Sequence, residues 1–160
     1  MINLNELARG GTICLTKAGL AIGTTKSKAQ IAPSPNGKGV DYAIKGLLYH
    51  KDDASVANDA VIQFTGLAQA DLTTCLYLVC LDKDGTVSVV QGTAVLSADL
   101  CAGNAVLHWP EPAADTCPIG AIKLAMSGGD FIGGTTDLSD ASVTDTYYDF
   151  CLVPEAPLTS

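Results

Sequence analysis

Hydrophobic positions along this chain come in short runs closed by Gly, Asn, Asp and Pro, and no long stretch sustains a helical repeat. The runs at 12–16, 28–32, 40–45, 60–65, 105–109, 119–125 and 143–153 are rich in β-branched and aromatic residues, as strands prefer. Turn clusters separate them: Ser34-Pro-Asn-Gly37, Ala102-Gly-Asn104, Ser127-Gly-Gly-Asp130 and Gly133-Gly-Thr-Thr136. Segment 52–60 fits a single helical turn. Many short strands with such punctuation predict an all-β fold: an antiparallel β-sandwich, jelly-roll-like, or a barrel. The expected layout is an extended N-terminal arm over 1–11, one β domain over 12–154 and a tail over 155–160. No internal repeat is present.

The stretch Leu78-Val-Cys-Leu-Asp-Lys-Asp-Gly-Thr-Val-Ser-Val-Val90 poses a choice between a calcium loop and a turn. A helix-loop-helix calcium site needs oxygen ligands at its first, third and fifth positions, Gly at the sixth and a bidentate Glu at the twelfth. With Gly85 in the sixth place, Asp82 and Asp84 fit, but Cys80 and Gln91 fill the first and the twelfth. A thiol suits a hard cation poorly, and an amide has no carboxylate to give. Both flanks read as strands, so 75–90 is predicted to be a hairpin turning at Asp-Gly.

The apolar fraction is 48% and the charged fraction only 16%, a balance that leaves surface for partner subunits. Net charge is −8 with Arg9 the single arginine, which argues against nucleic-acid binding, since phosphate contacts need a basic footprint. No segment is long and apolar enough to suggest a membrane span, and residues 1–9 lack a secretory pattern, so synthesis in a cytoplasm is expected. The six cysteines, at 14, 75, 80, 101, 117 and 151, show no zinc-type spacing and are expected to be buried thiols, with disulfides open if the surroundings oxidise.

Motifs for catalysis are scarce. Ser34-Pro-Asn-Gly-Lys-Gly39 has the glycines of a phosphate loop but no Ser or Thr after its lysine, and it precedes a strand. His50, beside Asp52 and Asp53, could serve as a general base oriented by either carboxylate, or simply end a strand in a charged loop. His108, between Leu107 and Trp109, fits the wetter face of a strand. Asp137, Asp140 and Asp145 could hold calcium, yet such side chains more often bond back to nearby amides and shape turns. Tyr147 and Tyr148 point to opposite faces, one inward and one free for a subunit contact. No catalytic, cofactor or metal residue is assigned, and the chain is not expected to be an enzyme.

Three stretches, taken in order, resemble a known group. Val40-Asp-Tyr-Ala-Ile-Lys-Gly-Leu-Leu-Tyr-His50 is similar to the "aIdGk.y" strand pair of small tailed-phage virion proteins, and the hairpin 76–93 looks like their next landmark. Cys117-Pro-Ile-Gly-Ala-Ile-Lys123, then Gly129-Asp-Phe-Ile-Gly-Gly-Thr-Thr-Asp-Leu138 and Thr144-Asp-Thr-Tyr-Tyr-Asp149, resemble the "P.G.i.i....ftpGttdl......yyd" ending. Position 133 is Gly where that pattern leads one to expect proline. The likeness covers roughly residues 25 to 154. It implies a structural virion protein of the capsid-decoration (cement) type: a homotrimer on the outer capsid surface that clamps adjacent major capsid protein subunits, with no cofactor. On that reading Leu4, Leu7 and Arg9 of the arm, with Tyr147 and Tyr148, are the expected contact residues. A head-fibre base or a tail or baseplate module that binds a receptor or carbohydrate is the alternative.

Overall fold

The structure is a computed structural model that describes residues 11–31, 39–52 and 61–151. It is all-β with antiparallel sheets in a sandwich-like arrangement and no closed barrel. The strands are β1 (Ile13–Cys14), β2 (Leu20–Ile22), β3 (Ala29–Ile31), β4 (Val40–Ile44), β5 (Leu47–Lys51), β6 (Val61–Ile62), β7 (Ala68–Gln69), β8 (Thr73–Leu81) and β9 (Val87–Gln91). They continue with β10 (Val95–Leu96), a short helix α1 (Ser97–Cys101), β11 (Cys117–Met126), β12 (Phe131–Ile132) and β13 (Val143–Asp149). The main sheet runs β10-β8-β11-β13, with β9 pairing the same edge of β8 as β10 does. Three small sheets, β1-β4-β5, β2-β3-β6 and β7-β12, complete the fold. The helical turn expected over 52–60 falls almost wholly outside the described residues.

Every residue of β8 is buried. Side chains alternate between faces along a strand, so two different layers must cover it. Cys75, Tyr77, Val79 and Leu81 enter the main core, against buried side chains of the small sheets such as Tyr42, Ile31 and Ile62. Leu78 and Cys80 enter a second cluster with Ala121, closed by Val90 and Phe150. β11 serves both layers by means of a bulge. Cys117 and Ile119 face the main core before it, and Ile122, Leu124 and Met126 after it, because the register shifts between Pro118 and Gly120. Without that extra residue the alternation would send half of these side chains to the wrong face.

The main core is centred on Phe64, Tyr77 and Phe131, whose rings meet edge to face at 5.5, 5.5 and 6.0 Å. The polar group of Gln69 at its edge is satisfied. Buried Gln69 donates Nε2 to the carbonyls of Thr73 (2.9 Å) and Leu124 (3.1 Å), and its Oε1 accepts from the Tyr77 hydroxyl (3.0 Å). Gln91 in turn donates to the Tyr77 oxygen at 3.3 Å.

The Asp-Gly hairpin forms as its sequence requires. Asp82 Oδ1 accepts from the amides of Asp84 and Thr86, both at 2.8 Å, and Gly85 sits at φ 75°. Those two amides hold the Asp82 carboxyl below its ordinary range. The acidic run behaves similarly: Asp140 Oδ1 accepts from the amide and hydroxyl of Ser142, and the Tyr147 hydroxyl donates to Asp145.

Two expectations are corrected. Residues 105–109 form no strand. The β8 edge beside this segment is already taken by β9 and β10, and Pro110 and Pro112 offer no amide to a ladder. The last strand ends at Asp149 rather than 153. The proline expected at position 133 would also be excluded here. The Gly133 amide donates to Leu67 O at 2.9 Å, and a Cβ there would lie 1.8 Å from the carbonyl oxygen of Phe64.

Gly133→Ala should therefore cost at least about 2 kcal/mol, as expected of overpacking, in equilibrium urea unfolding. Gly128→Ala, whose added Cβ would meet only Ser142 Cβ at 3.4 Å, should stay within ~0.5 kcal/mol of the parent. Tyr77→Phe, which leaves Gln69 Oε1 without its donor, should cost roughly 1–2 kcal/mol. Equal effects of the two glycine changes would contradict this packing.

Candidate functional site

The second cover of β8 is where the surface opens. The segment after α1 crosses the main sheet as an extended run without ladder bonds, and it carries Trp109-Pro-Glu-Pro112. Trp109 is 55% exposed. Its ring is nevertheless held edge to face by Phe150 (5.5 Å, 80°) and by Tyr148 (6.2 Å, 89°). Between this segment and the β4–β5 turn lies a cleft of about 800 Å³. Leu78, Pro118 and Phe150 line it together with Trp109 and Pro110, and Glu111, Asp115 and Thr116 supply polar groups. A smaller cleft of about 380 Å³ adjoins it and shares Thr12, Pro118 and Phe150. Cys14 and Cys151 line this second cleft.

The rim has a distinctive backbone. Lys45 (φ 52°) and Asp115 (φ 59°) adopt the left-handed region, which side chains with a Cβ rarely enter. These two residues form an ion pair between the β4–β5 turn and the loop before β11. Both are well exposed, so the pair contributes little stability. What it does is link the two sides of the cleft mouth.

His50 lies on β5 opposite Asp41, its cross-strand partner. Nδ1 meets Asp41 Oδ1 at 2.7 Å and Nε2 meets Asp52 Oδ1 at 3.1 Å. Asp52 was one of the two carboxylates expected beside it; Asp53 lies outside the described residues. Asp41 was missed because only strand register brings it close. With a carboxylate on each nitrogen, both nitrogens act as donors, which favours the imidazolium and leaves no lone pair for a base. The hydrogen bond to Asp41 raises the His50 pKa above its ordinary value.

The other candidate residues divide. Tyr147 packs against the main core with its hydroxyl on Asp145, and burial pushes its pKa up. Tyr148 lies beside Trp109 on the exposed side, so the expected inward and outward pair is present. Leu4, Leu7 and Arg9 lie outside the described residues, as does most of the 34–39 loop. Cys14, Cys75, Cys80 and Cys117 are buried thiols, whereas Cys101, at the end of the surface helix α1, is exposed and Cys151 is half-buried, against expectation. Burial pushes Cys14 and Cys117 up to about 12 and Cys80 to about 11, so none of these three is a nucleophile near neutrality. Among the described residues, no cluster of three or more His, Cys, Asp or Glu could hold a metal ion, and no helix is long and apolar enough to cross a membrane.

Sequence reasoning missed the cleft. Trp109 closes the strand expected over 105–109, although a tryptophan set before Pro-Glu-Pro is a signal for an exposed segment outside a ladder. Comparison with protein-family models, with curated proteins and with solved structures gave no match.

An NMR titration of His50 should give a midpoint above the ordinary 6.5 for histidine, and Asp41→Asn should lower it. Because the folded-state pKa is raised, the bond to Asp41 stabilises the fold fully below the unfolded value. That contribution is lost as pH rises through the folded pKa. A midpoint unchanged in Asp41→Asn would refute the assignment.

Proposed function

We propose that the chain is a structural assembly protein of the capsid-decoration type, which self-associates and stabilises a phage capsid by clamping adjacent major capsid protein subunits. The homotrimer on the outer capsid surface remains the favoured form, with residues 1–11 as its arm. One observation carries the reading. On β5, an edge strand of its sheet, the successive residues Leu47 and Leu48 are 63% and 74% exposed. Successive strand residues face opposite ways, so the start of β5 beside the turn is uncovered on both faces, while β4 and Tyr49 pack against the core. Exposed, unpaired and apolar edges are what monomeric β-proteins avoid, and contiguous apolar surface marks an association site.

The low charged fraction of 16% supports the same reading, as do exposed Val106 and Ile132. Catalysis gains no comparable support, since His50 is held between carboxylates and the buried thiols are protonated. One feature favours the alternative of a receptor- or carbohydrate-binding head-fibre or tail module: the half-exposed, rigidly held Trp109 ring beside carboxylates. Glycan-array binding abolished by Trp109→Ala would move the reading there.

Light scattering coupled to size exclusion should give a mass of about 49 kDa, three times the 16.4 kDa chain, for a closed cyclic trimer. Leu47→Ser with Leu48→Ser should shift the mass toward the monomer while the unfolding midpoint of the dilute chain stays near its parent value. A parent monomer that also fails to bind capsids would reject the proposal.

A further inference from the structure

We infer that the paired clefts beside Trp109 are the docking groove for this chain's own C-terminal segment, Leu152-Val-Pro-Glu-Ala-Pro-Leu-Thr-Ser160. The described chain ends at Cys151, which lines the smaller cleft and whose thiol donates to Leu15 O at 3.3 Å. Phe150, one residue earlier, borders both clefts. The point from which the segment leaves the described residues is therefore at the groove itself.

The segment has the chemistry that the groove would select. Leu152 and Val153 are apolar, and Pro154-Glu-Ala-Pro157 is a P-x-x-P sequence. Such sequences hold the polyproline II conformation with little entropy to lose and dock in grooves lined by aromatic rings. Trp109 is that ring, exposed on one side and fixed by Phe150 and Tyr148 on the others. At about 3.1 Å per residue, Pro154 to Pro157 would fall roughly 9 to 19 Å along the chain past Cys151, a reach suited to a groove that begins there. Tethering also gives the chain's own segment a high effective concentration over one supplied by another molecule. The inference does not depend on the virion reading.

Trp109 is the single tryptophan of the chain, so its fluorescence reports on the groove alone. The full chain should be compared with one that stops after Cys151, both under reducing conditions. In the shortened chain, the emission maximum should shift to the red and acrylamide quenching should increase. Adding a synthetic peptide of residues 152–160 should reverse both effects saturably. The full-length variant Pro154→Gly with Pro157→Gly should show the same red shift, and it decides the matter if the shortened chain fails to fold. Identical emission and quenching in the full chain and in that variant would overturn the inference. Protection of Trp109 that disappears on dilution would also overturn it, because the segment would then come from a second copy.

Discussion

A strand buried on both faces sets the terms for the rest of this molecule. β8 has no solvent side, so its hydrogen-bonding edges must be paired and both its faces must be covered. The edges are taken by β11 on one side and by β9 and β10 on the other. The first face receives the small sheets and the Phe64–Tyr77–Phe131 cluster. The bulge in β11 follows from the same demand, because one strand has to feed the main core on both sides of a change in register. Gln69 and Tyr77 show how polar groups are admitted: each finds partners within the core.

The second face is covered more thinly, and this thinness makes the surface features. An extended segment without ladder bonds cannot close over a sheet as a second sheet would. Val90 and Phe150 supply the apolar cover, Trp109 packs on Phe150, and the gap left beside them is the cleft. Lys45 and Asp115 span its mouth from strained backbone positions, which persist only where surrounding structure enforces them. The β4–β5 hairpin ends at this rim and carries its two leucines uncovered. The cleft and the uncovered β5 edge thus share one origin: among the described residues, strands complete one layer over β8 but not the other.

The all-β class was legible because alternation and Asp-Gly chemistry are local. The 75–90 hairpin, β4, β11 and the start of β13 were found from such signals. The short strands β2, β7, β10 and β12 and the five-residue helix α1 were missed, since so few residues carry no periodicity and their placement is decided by distant partners. Segment 105–109 looked like a strand by composition, but the β8 edge is taken by β9 and β10 and the segment joins no sheet. The site was less readable. The Asp41–His50 pair depends on register, and the cleft depends on how Trp109 and Phe150, far apart in sequence, meet over β8. The opposite facing of Tyr147 and Tyr148 followed from strand alternation, but which of the two faces outward did not.

At the centre is a β8–β11 spine, and we propose that its thinly covered flank and the open β5 edge serve association. Amide hydrogen exchange by NMR, recorded below and above the concentration at which the chain assembles, tests both halves together. The account predicts that β8 and β11 amides are the slowest at either concentration. It also predicts that β5 amides around Leu47 and Leu48 are fast when dilute and gain protection on assembly. Amides of β8 exchanging as fast as those of β5, or a β5 edge indifferent to assembly, would contradict it.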